Sequence, residues 1–133
     1  MASNVPEREV ALAALMVRIA RADGSYDDVE QRRIVQVLKL RDGLSTSEAE
    51  GLCARAEEIE AKAADTVRFT RALKEMIPLD DRVGVIEALW QVAMADGHRG
   101  ADEDAQIRLA ASLLGVNDRD SALARRRVRA RLG

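Results

Sequence analysis

The chain has 133 residues, 47% of them hydrophobic and 33% charged, with the two signs nearly balanced at a net charge of −2. That length suits one domain with its own core, because a chain of this size buries roughly two-thirds of the surface it exposes when unfolded. The single cysteine, Cys53, excludes an intrachain disulfide, and the longest apolar run, Val10 to Val17, has eight residues, where a membrane-spanning helix takes about 20.

The periodicity is helical from end to end, with no period-two stretch and no Asn-Gly hairpin signal. Leu12, Leu15, Met16 and Ile19 recur on one face of a first helix, which Pro6 starts and Gly24 stops. Ile34, Val37 and Leu38 mark a second helix ending near Gly43. Ser45-Thr46-Ser47-Glu48 has the spacing of a capping box, in which a hydroxyl and a glutamate carboxylate each accept the other residue's backbone N–H. It opens a third helix with Ala49, Leu52, Cys53, Ala56 and Ile59 on one face and Glu57, Glu58 and Glu60 on a solvated one. Asp65 or Thr66 caps a fourth helix carrying Phe69, Leu73 and Met76, broken before Pro78. Asp80 or Asp81 starts a fifth with Val83, Ile86, Leu89, Trp90 and Ala93. A sixth carries Ile107, Ala110 and Leu114 up to Gly115, and Asn117 or Asp118 caps a seventh that runs into arginines. The expectation is all-α, a bundle of about seven helices.

The chain also repeats itself. A shift of 73 residues lays Val10 on Val83, Met16 on Leu89, Ile19 on Val92, Ala22-Asp23-Gly24 on Ala95-Asp96-Gly97, Glu30 on Glu103 and Ile34 on Ile107. A helix, an acidic loop and a second helix therefore occur twice, which predicts a pseudo-twofold duplication of one hairpin rather than a solenoid. The boundaries expected within a single domain over 1–133 are a first repeat at about 8–45, connecting helices at 46–78, a second repeat at about 79–117 and a basic C-terminal helix at 118–133.

The two copies of Ala-Asp-Gly…Glu, the connecting DTVRFTRALKEMIPLDDR and the segment LWQVAMADG resemble the tellurite-resistance protein TerB family, over residues 8 to about 128 and closest to its stand-alone bacterial members. The resemblance implies an all-helical bundle, divalent-metal binding at the acidic loops and stress-response partners near the inner membrane. It supplies no reaction mechanism.

The acidic loops themselves admit two readings. In one, Gly24 and Gly97 are left-handed helix stops, and Ser25 or Asp27 is an N-cap with Glu30 at the third helical position. In the other, Asp23, Asp27 and Glu30 converge on a hard cation, with Asp28 to spare. Asp23 and Asp96 both read as lying in the last turn of a helix. The backbone dipole disfavours an acid there by roughly 0.3–1 kcal/mol, and a bound cation reverses that sign. The second copy offers Asp96, Asp102, Glu103 and Asp104, but Gly100 replaces the acid equivalent to Asp27, and His98 shifts the preference toward zinc or another transition metal. Neither loop is an EF-hand, because the sixth position lacks glycine and Ile34 holds the twelfth, where a bidentate glutamate belongs. The expected metal ligands are Asp23, Asp27, Glu30, Asp96 and Glu103, and the expected cofactor is calcium, magnesium, manganese or zinc.

Catalysis is not inferred. Cys53 reads as a packed small residue, there is one histidine, and no nucleophile elbow, phosphate-cradling glycine loop or CxxC pair is present. Arg125, Arg126, Arg127, Arg129 and Arg131 form a run without an acid. It reads as a solvated helix end or as a contact for an anionic membrane surface or an acidic protein. A pI near 5.5 and the lack of interleaved aromatics argue against dedicated nucleic-acid binding. With no basic segment leading into an apolar run at the N-terminus, the expected location is cytoplasmic, peripheral to the inner membrane at most. Two functional readings lead, a metal-binding helical interaction module and a metal-free adaptor whose acidic loops are structural, with a hydrolase using the loop carboxylates and a metal-bound water as a distant third. Homodimerisation is open in both.

Overall fold

Seven helices make up the computed structural model, which describes residues 7–22, 26–62, 66–94 and 101–132, and no strand occurs among them. They are α1 (Glu7–Arg21), α2 (Asp28–Asp42), α3 (Thr46–Lys62), α4 (Thr66–Met76), α5 (Leu79–Ala93), α6 (Ala101–Leu113) and α7 (Asp118–Leu132). The all-α bundle expected from periodicity is the fold observed.

Local chemistry sets most of the boundaries. Gly43 ends α2 at φ +66°, a left-handed conformation that glycine adopts without a Cβ penalty, and its N–H donates to the Lys39 carbonyl. Ser45 and Glu48 form the reciprocal capping box, with the Glu48 N–H 3.1 Å from Ser45 Oγ and the Ser45 N–H 2.9 Å from Glu48 Oε1. The Ser45 bonds hold the exposed Glu48 carboxyl below its ordinary pKa. Gly115 stops the chain after α6 at φ +78°, and Asn117 caps α7 by accepting the Asp120 N–H at 2.8 Å. α5 departs from expectation. It begins at Leu79, not at Asp80 or Asp81, because Pro78 itself occupies the cap with its carbonyl accepting the Asp81 N–H at 2.9 Å. The two aspartates then lie inside the first turn, where the helix dipole favours them.

Packing places α1 at the centre. Every residue from Val10 to Ala20 is buried except the half-buried Arg18, whereas the sequence pattern assigns the core to one face only. The alanines at 11, 13, 14 and 20 explain the difference, since they let neighbouring helices close on the remaining faces. α1 lies chiefly against α3 and α4 and also touches α2, α5 and α6. A helix apolar on all sides belongs in an interior. α5 is the second central element, packed on α7, α1, α2 and α6, with Leu89 and Trp90 fully enclosed. Of the residues paired by the 73-residue shift, Met16 and Leu89, Ile19 and Val92, and Ile34 and Ile107 are all at 0% exposure, whereas Val10 is buried and Val83 only partly so.

Two polar contacts tie the periphery down. Arg82, on α5, donates Nη2 to the Lys74 carbonyl at 2.8 Å, Nε to the Ile77 carbonyl at 3.0 Å and Nη1 to the Leu114 carbonyl at 3.3 Å. One guanidinium thus serves the C-terminal ends of α4 and α6. Glu87, also on α5, receives Arg127 at 2.9 Å and Arg131 at 2.7 Å from α7, while Arg125 stacks 5.7 Å from the Trp90 ring centroid. α7 is therefore no frayed end, and three of its five clustered arginines engage α5. Among the described residues no helix is long and apolar enough to cross a membrane.

Candidate functional site

The described part of the first acidic loop begins at Tyr26. Asp27 takes an extended conformation (φ −105°, ψ −178°) and caps α2, its Oδ1 accepting the Glu30 N–H at 3.0 Å and its carbonyl accepting the Gln31 N–H at 3.0 Å. The structural reading of Asp27 as an N-cap is thus realised. It does not exhaust the side chain, because a carboxylate offers about four lone-pair directions and this contact uses one. Asp27 remains exposed, whereas Glu30, one turn along, is only 5% exposed. The cap therefore holds two carboxylate-bearing residues in one turn, one facing water and one facing inward.

The remaining expected ligands lie elsewhere or outside the described residues. α1 ends at Arg21 and α5 at Ala93. The last turn of α1 carries Arg18 and Arg21, charges of the favourable sign. Asp23, Gly24, Ser25, Asp65, Asp96, Gly97, His98 and Gly100 lie outside the described residues, as do the side chains of Asp102 and Glu103 in the first turn of α6. Among the described residues, no group of three or more His, Cys, Asp or Glu side chains is placed to hold a metal. Asp27 and Glu30 supply oxygen donors of the class that hard cations prefer.

The surroundings of this turn come from α3. Glu57 Oε2 accepts the Tyr26 hydroxyl at 2.5 Å and the Gln31 side-chain amide at 2.7 Å, and Cys53 Sγ lies 3.9 Å from the same oxygen. Glu60, one turn further, pairs with Arg21 at 2.5 Å and Arg18 at 3.6 Å. The Arg21 guanidinium stands 5.0 Å from the Tyr26 ring centroid, within cation–π range. Burial, then the hydrogen bond to Glu57, pushes the Tyr26 phenol far above its ordinary pKa. Burial likewise raises the Cys53 thiol, which makes it a poor nucleophile at neutral pH. The expectation of a solvated acidic face on α3 is corrected here: Glu58 is exposed, but Glu57 and Glu60 are partly buried and paired. Tyr26, Gln31 and Glu57 are the residues that sequence reasoning missed. Their only signal is Glu57 at the edge of the apolar stripe, one turn from Cys53.

Two clefts flank this network. One of about 290 Å³ is lined by Arg18, Arg21, Ala22, Glu60, Ala105 and Gln106. The other, of about 400 Å³, runs between α2 and α3 with Val35, Lys39, Thr46 and Cys53 in its wall.

Comparison with known proteins adds one finding. The family model described as tellurite resistance protein TerB matches residues 9–126. No curated protein matches the chain, and no solved structure does.

Proposed function

This chain belongs to the tellurite resistance protein TerB family, and from that premise we propose that it is a non-catalytic helical module that takes a divalent cation at the loop joining α1 to α2 and presents a surface to a protein partner. The observation that supports this reading is the first turn of α2. Asp27 is fixed by its capping bond to the Glu30 N–H, faces water with lone pairs to spare, and stands three residues before the buried Glu30. Asp27 and Glu30 would hold the ion, joined by Asp23. The cation would fix the angle between two helices, and no reaction step is assigned to it. We read the α1–α2 and α5–α6 hairpins as one unit used twice, with Asp96 and Glu103 as the second, weaker site.

The alternative is a metal-free adaptor. The basic last turn of α1 and the complete cap at Asp27 favour it, since both satisfy the helix ends without an ion. Its contact would be α7, where Arg126 and Arg129 are exposed and would meet an anionic membrane surface or an acidic protein.

Calorimetry on chelator-stripped protein separates the two. Calcium, magnesium, manganese and zinc are titrated into the wild type and Asp27→Asn, a change that keeps a good N-cap while removing the charge. The metal reading expects saturable micromolar binding, at least about tenfold weaker in the variant, with the same melting temperature in chelator. Absence of both heat and thermal stabilisation with all four metals overturns it in favour of the adaptor.

A further inference from the structure

We infer that the groove between α2 and α3 is the docking surface for a protein partner, which lays into it an amphipathic helix with acidic residues seven apart. The inference deepens the partner-presenting part of the reading above and needs no cation.

Among the described residues no third helix covers the outer side of the α2–α3 pair, since α3 packs chiefly on α1 and α2. The floor of the groove is apolar, formed by Val35 of α2 with Cys53 and Ala54 of α3. Along α2 it runs from Gln31 to Lys39, roughly 12 Å at about 1.5 Å per residue, which accommodates about two turns of a helix. The charges select the occupant. Arg32 and Lys39 line the α2 side and Glu50 the α3 side, so cations outnumber acids in the wall. The two cations stand seven residues apart, about 10 Å along the axis, too far for one carboxylate to meet both. A helix laid along α2 has the same 3.6-residue turn, so acids at its positions i and i+7 fall beside both cations at once. Lys39 is already steered: its Nζ donates to Thr46 Oγ1 at 2.7 Å and keeps two N–H groups for an acceptor. The Lys39–Thr46 and Gln31–Glu57 bonds set α2 and α3 antiparallel, which places Glu50 between the ends of the groove. There it faces the opposite edge of the docked helix and selects a basic residue, as flanking charges set partner and orientation in paired helices. Gly51, on the exposed side of α3, has nothing within 4 Å of where a Cβ would stand. No contact among the described residues calls for this helix-weakening residue, and beside Ala54 it leaves a low rim for close approach.

A designed peptide tests this. The probe is an alanine-rich helix of about 20 residues, long enough to be helical on its own. It carries leucines on one face, two glutamates seven residues apart along one edge and a lysine along the other. Its twin has lysines in place of the two glutamates. Binding to the full chain is followed by fluorescence anisotropy of the labelled peptide and mapped by amide chemical shifts. The acidic peptide should bind saturably, shift residues 31–39 and 46–54 and leave α7 unmoved. Arg32→Glu combined with Lys39→Glu should weaken it at least about tenfold and should bind the lysine twin instead, a rescue that a misfolded variant cannot show. Ala54→Arg, at an exposed position, should plug the groove and abolish binding at an unchanged melting temperature. Equal binding of the two peptides by the wild type overturns the inference. So does acidic-peptide binding that survives the double charge reversal or Ala54→Arg. Shifts confined to α7 overturn it as well and give the contact to the arginine face. Absence of binding overturns it while leaving the metal reading standing, because that reading is decided by the calorimetry alone.

Discussion

Arg82 shows how much one side chain does in a bundle of short helices. Its three backbone acceptors lie at the C-terminal ends of α4 and α6. Arg82→Ala should cost about 2 kcal/mol in denaturant unfolding, the range for hydrogen bonds from a charged group. Arg82→Lys should recover only part of that, because an ammonium lacks the planar fork. An unchanged midpoint in the alanine variant would mean that water serves those carbonyls equally well. Sequence reading could not find Arg82, whose acceptors lie 8 and 5 residues before it and 32 after. The same limit divided the candidate site. Asp27 and Glu30 were legible because capping is a three-residue affair. Tyr26 and Glu57 were not, because their contact crosses 31 residues, and a glutamate beside an apolar stripe looks like any solvated one until the opposing helix is in place.

At the level of helices, the start and stop signals with a local mechanism were read correctly: Gly43, Ser45 with Glu48, Gly115 and Asn117. α5 was misplaced because Pro78 caps without a side-chain bond and leaves no polar signature. The docking of α7 onto α5 was invisible for another reason, since it depends on Glu87 meeting Arg127 and Arg131. Burial raises the Glu87 pKa, but the hydrogen bonds from Arg131 and Arg127 outweigh it and hold the carboxyl below its ordinary 4.5. A carboxylate lowered on folding stabilises the protein above its unfolded pKa and loses that contribution as pH falls through the folded value. Helix α7 should therefore loosen below about pH 4, seen as a change in Trp90 fluorescence when Arg125 leaves its ring. Glu87→Gln should remove that step. At pH 7 it should cost less than about 1 kcal/mol, because both arginines are half exposed and screened. A fluorescence step that survives in the variant would assign it to another group.

The whole molecule is organised around α1, and that could not be read from periodicity, which distinguishes apolar from polar faces but not which helix the others surround. Leu15 at 0% exposure makes the test direct: Leu15→Ala should cost about 2–5 kcal/mol in urea unfolding, a large share of the roughly 5–15 kcal/mol typical of a domain. A cost below about 1 kcal/mol would mean that the centre collapses to fill the gap. The position of α1 also has a consequence in time. The innermost helix is made first, yet its walls include α5 and α6, which end at Ala93 and Leu113. At about 5–20 residues per second, the ribosome exposes α1 for several seconds before the last of those walls exists. A nascent segment as apolar as Val10–Val17 is a natural client for chaperones during that interval. Synonymous slowing of translation between codons 22 and 93 should therefore lower the soluble yield more than the same slowing placed after codon 113.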